Sequence, residues 1–382
     1  MRQLVDLLFR YLPMILLLLL PSAMTSCAPN LCRGTRPILK VGLAAPFEGV
    51  ARPLGYEALQ GVKLAIAQWN AHGGPGGYMV ELVALNDAND PQEARLQAEE
   101  FLADPAVLGV IAGWNAATAQ AIAPILRQRG LATVLPWSVP AELADRGVVI
   151  LAAHEGQIAQ VVVEHLPLAV PRCHVAVVGD ERAVAPYRAL LPACVRSLAP
   201  PVASHRQALQ TWVAGVLHDR SFPLEALILV VDSVLGGELV VALRQAGWSG
   251  WLFGAADLGS TQLTDVAGEW AEEVVIASPA PSGEDATFHS DEDRALFASL
   301  SPRGVSAYDA AHVLLAALER SVAQTGQPSR TGVIAALSGV QAQGLMGNLT
   351  FDPQGRRLHA PVWLYRVEGR RYPGVLVEQV IR

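Results

Sequence analysis

The chain has 382 residues, of which 52% are hydrophobic, with 28 Lys and Arg against 35 Asp and Glu for a net charge of −7. At about 150 residues per domain this length allows two domains with ample core. The mildly acidic balance, without any basic cluster interleaved with aromatics, argues against nucleic acid as a partner.

At the N-terminus, Arg2 and Arg10 precede an apolar block over 11–20, short of the roughly 20 residues a bilayer requires, and Pro21, Ser22 and Ala23 follow. Residues 1–26 therefore read as a signal peptide, and the chain is expected outside the cytoplasm. Met24-Thr25-Ser26-Cys27 resembles a bacterial lipoprotein cleavage box, which implies lipidation of Cys27 and a membrane tether over 27–36. Ordinary secretion with cleavage nearby is the alternative. No later stretch has the length and apolarity of a transmembrane helix.

The folded chain opens on an apolar, β-branched strand over 38–45, a loop over 46–55, and a helix in which Leu59, Val62, Ala65, Ile66 and Trp69 recur at helical spacing until Gly73-Gly74. That loop leaves the carboxyl end of its strand, the edge where open α/β sheets bind ligands. Strands over 80–85, 107–112 and 131–135 follow, each separated by a helix-length segment, so the sheet should be mainly parallel with helices on both faces. Their exit loops carry Trp114-Asn115 and Pro136 to Pro140.

After an apolar strand near 148–155 the alternation restarts. Strands are expected at 174–179, 226–231, 250–254 and 274–277, with helices around 187–198 and 238–246. An acidic surface link over 280–293 leads to a helix over 306–325 ended by Gly326, a shorter helix over 331–337, and a closing ribbon of strands at 348–351 and 361–367. Cys173 precedes one strand and Cys194 lies near the end of the helix after it. A helix returning antiparallel brings the two thiols within reach of a disulfide, and two buried free thiols are the alternative.

Several strings in this order resemble the type I periplasmic binding proteins, specifically the branched-chain amino acid (Leu/Ile/Val) binding branch of ABC importers. They are KVGLAAPFEG with Gly55 and GVKLAIAQWNAHGG; VLGVIAGWNAATAQAIAPIL; TVLPWSVPAEL; ALRQAGWSGWLFG; SAYDAAHVLLAALER; and NLTFDPQGRR. The resemblance implies an α/β fold of two doubly wound parallel-sheet lobes joined by a three-crossing hinge and closing on a small molecule. One lobe would take 37–153 with 279–358, the other 154–278 with 359–382. It also implies an ABC permease as membrane partner, a periplasmic or outer-face location, and no cofactor.

Carried over residue by residue, the family's amino acid clamp is altered. Its hydroxyl in the loop after the third strand falls on Ala116, beside Trp114, Asn115 and Thr118, and the next loop offers Ser138 and Val139. The first-loop aromatic falls on Leu54, near Arg52, and those of the second lobe on Val184 and near Leu235. The ammonium-binding Glu falls on Ala256, with Asp257 beside it, and His154-Glu155 lies at a crossing. The expected ligand contacts are thus Arg52, Leu54, Trp114, Asn115, Thr118, Ser138, Glu155 and Asp257, and the expectation is that the ligand is not a standard branched-chain amino acid, or that this protein no longer scavenges one.

Asp257 could instead cap a helix over 258–266, and Trp114 could simply close the core. Catalysis has little support: 73–77 is glycine-rich but follows a helix, Ser138 lacks a nucleophile elbow, and the nine His show no metal-ligand spacing. The expectation is a solute-binding protein and no enzyme, with a ligand-sensing envelope protein on the same fold as the alternative.

Overall fold

The computed structural model describes residues 36–201, 206–219, 221–288 and 290–381; the expected leader, Cys27 and the tether up to residue 35 lie outside them. The first lobe is built on β1 (Ile38–Ala45), β2 (Met79–Asn86), β3 (Val107–Ile111), β4 (Ala132–Leu135) and β5 (Val148–Ile150), in the order β2-β1-β3-β4-β5 and parallel throughout. Apart from the half-exposed edge strand β2, these strands are short apolar runs buried on both faces, as a sheet between helices requires. Helices α1 (Arg52–Ala71), α2 (Pro91–Ala103) and α3 (Ala116–Gln128) make its crossovers.

The second sheet contains β6 (Val175–Val178), β7 (Arg196–Leu198), β8 (Ala226–Leu229), β9 (Trp251–Gly254), β10 (Val275–Ser278), β13 (Val362–Glu368) and β14 (Arg371–Val380), in the order β14-β13-β10-β9-β8-β6-β7. Only β13 is reversed, pairing antiparallel with both β10 and β14. Its helices are α4 (Glu155–Glu164), α5 (Glu181–Leu190), α6 (Arg206–Leu217), α7 (Ser233–Gln245) and α8 (Thr261–Ala267). The chain passes between sheets three times: after β5, after β10, and between the hairpin β11–β12 (Gln341–Gly344, Gly347–Thr350) and β13.

After β10 the chain forms α9 (Asp291–Phe297), α10 (Pro302–Thr325) and α11 (Arg330–Leu337). The hydroxyl of Ser301 accepts from Gly304 N at the start of α10, and Gly326 ends it in the left-handed region at φ 79°. This helix lies so close to α1 that a Cβ on Gly61 would stand 2.0 Å from the Gly304 carbonyl oxygen. That approach fixes where the first turn of α10 sits, next to the exit loops of the first sheet.

Several expected elements are corrected. The helix expected over 187–198 ends at Leu190, and Arg196–Leu198 is the edge strand β7. The strands expected to form one ribbon belong to different sheets, because β12 pairs with β11 while β13 pairs with β10 and β14. The acidic link is not all surface: Ala280 and Ser282 are buried, and Ser282 N donates to the Tyr365 hydroxyl at 2.8 Å.

Cys173 and Cys194 are joined by a disulfide across 21 residues of sequence. They clip the start of β6 to the segment entering β7, beside one edge of the second sheet. Closing a loop of that size should stabilise by about 3 kcal/mol through the unfolded state. Cys194→Ser should lower the unfolding free energy by that amount in urea titrations of oxidised protein; a loss under about 1 kcal/mol would contradict it.

Candidate ligand-binding cleft

The carboxyl ends of the strands in both sheets converge on one seam. From the first lobe, the loop after β4 supplies Trp137 and Ser138, held down where the Ser306 hydroxyl of α10 donates to the Pro136 carbonyl. The same helix contributes Arg303 from its first turn, and α1 contributes Glu57, whose Oε2 accepts from the Ser301 hydroxyl at 2.8 Å. From the second lobe come Glu155 at the head of α4, Tyr187 on α5, Asp257 after β9, and Tyr372 on β14.

The lobes touch along this seam. Gln262 Nε2 donates to the Val50 carbonyl at 2.6 Å, Arg182 donates to Gln120, and Glu155 N donates to the Val139 carbonyl at 3.2 Å. The first loop and α3 are thereby tied to α8 and α5.

The polar chemistry of the seam is unmet. Trp137 Nε1, Ser138 Oγ, Tyr187 OH, Asp257 Oδ1, Arg303 Nε and Tyr372 OH are all buried without a hydrogen-bond partner in the protein. Buried polar atoms are nearly always paired, and leaving one unpaired costs about 1–3 kcal/mol. Six such atoms around one seam, from both lobes and including donors and an acceptor, have the character of a ligand site.

Electrostatics describe the same group. Burial pushes the Asp257 carboxyl up to about 6 against the pull of Arg303, while Asp232 adds repulsion. Burial pushes Glu155 up to about 7, opposed by Arg182 and reinforced by Asp257, Glu142 and Asp180. Burial also raises Glu57, with Arg303 opposing. Carboxyls raised in this way favour a positive charge placed beside them.

The expected contacts separate into those at the seam and those elsewhere. Ser138, Glu155 and Asp257 are in it. Asp257 does not cap the following helix, because α8 starts later and the Ser260 hydroxyl caps it. Trp114 is 2% exposed, its Nε1 donates to the Ala44 carbonyl at 3.0 Å, and its own carbonyl faces Arg303; it forms the floor. Asn115 caps α3 through Thr118 N and bonds Asn89, and the Thr118 hydroxyl turns back to Asn115. Arg52 is exposed, with its guanidinium 5.6 Å from the Tyr56 ring centroid, and Leu54 is half-buried.

Sequence reasoning missed Arg303, Trp137, Tyr187 and Tyr372. Arg303 had a signal: in the first turn of a helix opened by Ser301-Pro302, a cation opposes the helix dipole. Among the described residues no group of three His, Cys, Asp or Glu could hold a metal ion, and no helix is long and apolar enough to cross a membrane.

A sequence family described as periplasmic binding protein matches residues 38–199 and 224–371. The chain belongs to that family. Within it, the affinities of this type I periplasmic binding protein run to the branched-chain amino acid branch. The Leu/Ile/Val-binding protein homolog 2 of Brucella abortus (strain 2308) is 30% identical over 108 residues, which is 28% of this chain and 29% of that protein. The chain thus matches under a third of that relative's length. The leucine-, isoleucine-, valine-, threonine- and alanine-binding protein of Pseudomonas aeruginosa is matched more fully, at 24% identity over 83% of this chain and 86% of that protein. Among solved structures, the branched-chain amino acid transporter substrate binding protein LivJ of Streptococcus pneumoniae, in complex with isoleucine, superimposes with a TM-score of 0.74 at 15% identity, covering 90% of this chain and 99% of that one. That likeness concerns the fold.

Proposed function

We propose that this periplasmic binding protein is the extracytoplasmic solute-binding component of an ABC importer. It captures a small amino-acid-like or amide-like ligand between its lobes, closes on it, and presents it to a membrane permease. The observation that carries this is the set of six unmet polar atoms at the seam, contributed by both lobes. A ligand bridging them gains contacts in the closed form that the open form lacks, which is what closure requires.

The proposal includes lobes divided as 37–153 with 279–358 and 154–278 with 359–382, and a lipid anchor through Cys27. It also includes an altered clamp. Ala116, Val139 and Ala256 are all buried and apolar where the resemblance calls for ligand-binding groups, so the ligand is not a standard branched-chain amino acid.

The test is a thermal-shift screen of the chain against amino acids, amides, short peptides, aromatic acids and polyols. A true ligand at about 100 times its dissociation constant should stabilise by roughly 2.7 kcal/mol. If branched-chain amino acids alone gave that shift, the altered clamp would be refuted; if nothing small did, solute capture would be.

A further inference from the structure

Three buried or half-buried arginines of the first lobe are treated differently. Arg357 donates to the carbonyls of Met346, Asn348 and Leu151. Arg330 donates to those of Val107, Phe101, Leu102 and Asp104. Each is a structural cross-link whose N–H groups are met by backbone.

Arg303 is not met in that way. It is 2% exposed, yet among the described residues its hydrogen bonding comes down to Nη1 donating to the Trp114 carbonyl at 3.3 Å, and Nε has no partner. The guanidinium carbon lies over Trp137, 4.1 Å from the ring centroid. Among the described residues no carboxylate is within ion-pair distance of it; Glu57 and Asp257 act on it only from further away. A guanidinium taken out of water and left without an anion costs several kcal/mol.

The contact with Trp137 holds the guanidinium in place, and the unpartnered Nε–H leaves an N–H edge for an acceptor. A carboxylate matches that edge with two parallel bonds, and a lysine could not replace it. We infer that Arg303 is the carboxylate anchor of the cleft, so that the ligand presents its acid group to the first turn of α10. This rests on the proposal that the seam is the ligand site, and it names the residue that selects an acid over its amide. It also relocates the anchor: the acid is gripped from α10, not from the loop positions held by Ala116 and Val139.

The experiment uses purified full-length chain and two matched series in calorimetric titration: methionine, methioninamide and 4-(methylthio)butanoate; and phenylalanine, phenylalaninamide and 3-phenylpropanoate. The acids should bind at least tenfold more tightly than the amide of the same series. Arg303→Met should bring that acid-to-amide ratio to near one, and Arg303→Lys, which keeps the charge and protects the fold, should cut it several-fold. The ratio is insensitive to a merely weakened fold, which would lower all affinities together. Amides binding as well as acids, or a ratio unchanged in both variants, would overturn the anchor and leave the cleft in place. Absence of binding by all six compounds would remove the anchor and count against the cleft as well.

Discussion

Asp309→Ala should remove about 3–5 kcal/mol of stability, the largest loss expected from one substitution in this protein. Asp309 is fully buried on α10, and its two oxygens accept from Leu345 N and Met346 N, each at 2.8 Å. The fit is close, since a Cβ on Gly344 would stand 2.5 Å from both carboxylate oxygens. Arg357, nearby, holds the carbonyls of Met346, Asn348 and Leu151. Truncating Asp309 would leave two buried N–H groups and a buried guanidinium without their acceptor and counter-charge. Urea titration checks this, and a loss under 1 kcal/mol would show that the pair is dispensable. In a double-mutant cycle with Arg357→Met, the two losses should fall well short of additive.

The second large effect concerns ligand and pH. Glu155→Gln with Asp257→Asn should weaken binding of an ammonium-bearing ligand by roughly a thousandfold, about 4 kcal/mol, because its cation would then be buried without a counter-charge. Without ligand the sign reverses. Both carboxyls are raised above their ordinary range, to about 7 and about 6, chiefly by burial. Their protonated forms therefore suit the folded state, and their contribution is full near pH 4 and lost as the pH rises through 6 to 7. Glu155→Gln alone should flatten that fall and raise stability at pH 8 by an amount on the order of 2 kcal/mol. Ligand affinity of the unmodified protein should move the opposite way, weakening about tenfold per pH unit per proton as the pH drops from 7 toward 5.5. A pH-independent affinity for an ammonium-bearing ligand would contradict this. Stability and capture thus pull against each other at these two residues.

The architecture was legible because its signals are local. Strands such as Ile38–Ala45 are apolar on both faces, and α1 and α10 repeat their buried positions every three or four residues. The seam was less legible because it depends on chain segments distant in sequence. Arg303 falls outside the helix that periodicity predicts over 306–325, because the first turn at 302–305 carries only one large apolar residue, Val305, to mark its inner face. Tyr372 was invisible because β14 alternates poorly, its exposed Val375 and Val377 giving no clear inner face. The ribbon at 348–367 was misassigned because Arg357 pins the segment between its strands to the first lobe through carbonyls, a tertiary contact without a local pattern.

The two ties across the rim, Gln262 to the Val50 carbonyl and Arg182 to Gln120, involve no ligand atom. On the proposed mode of capture, a molecule held inside would have to wait for both to part before leaving, so residence time would be governed partly by the wall and not only by the occupant. Substitutions at Gln262 or Gln120 would then shorten dwell time for every cargo alike, whatever its intrinsic fit.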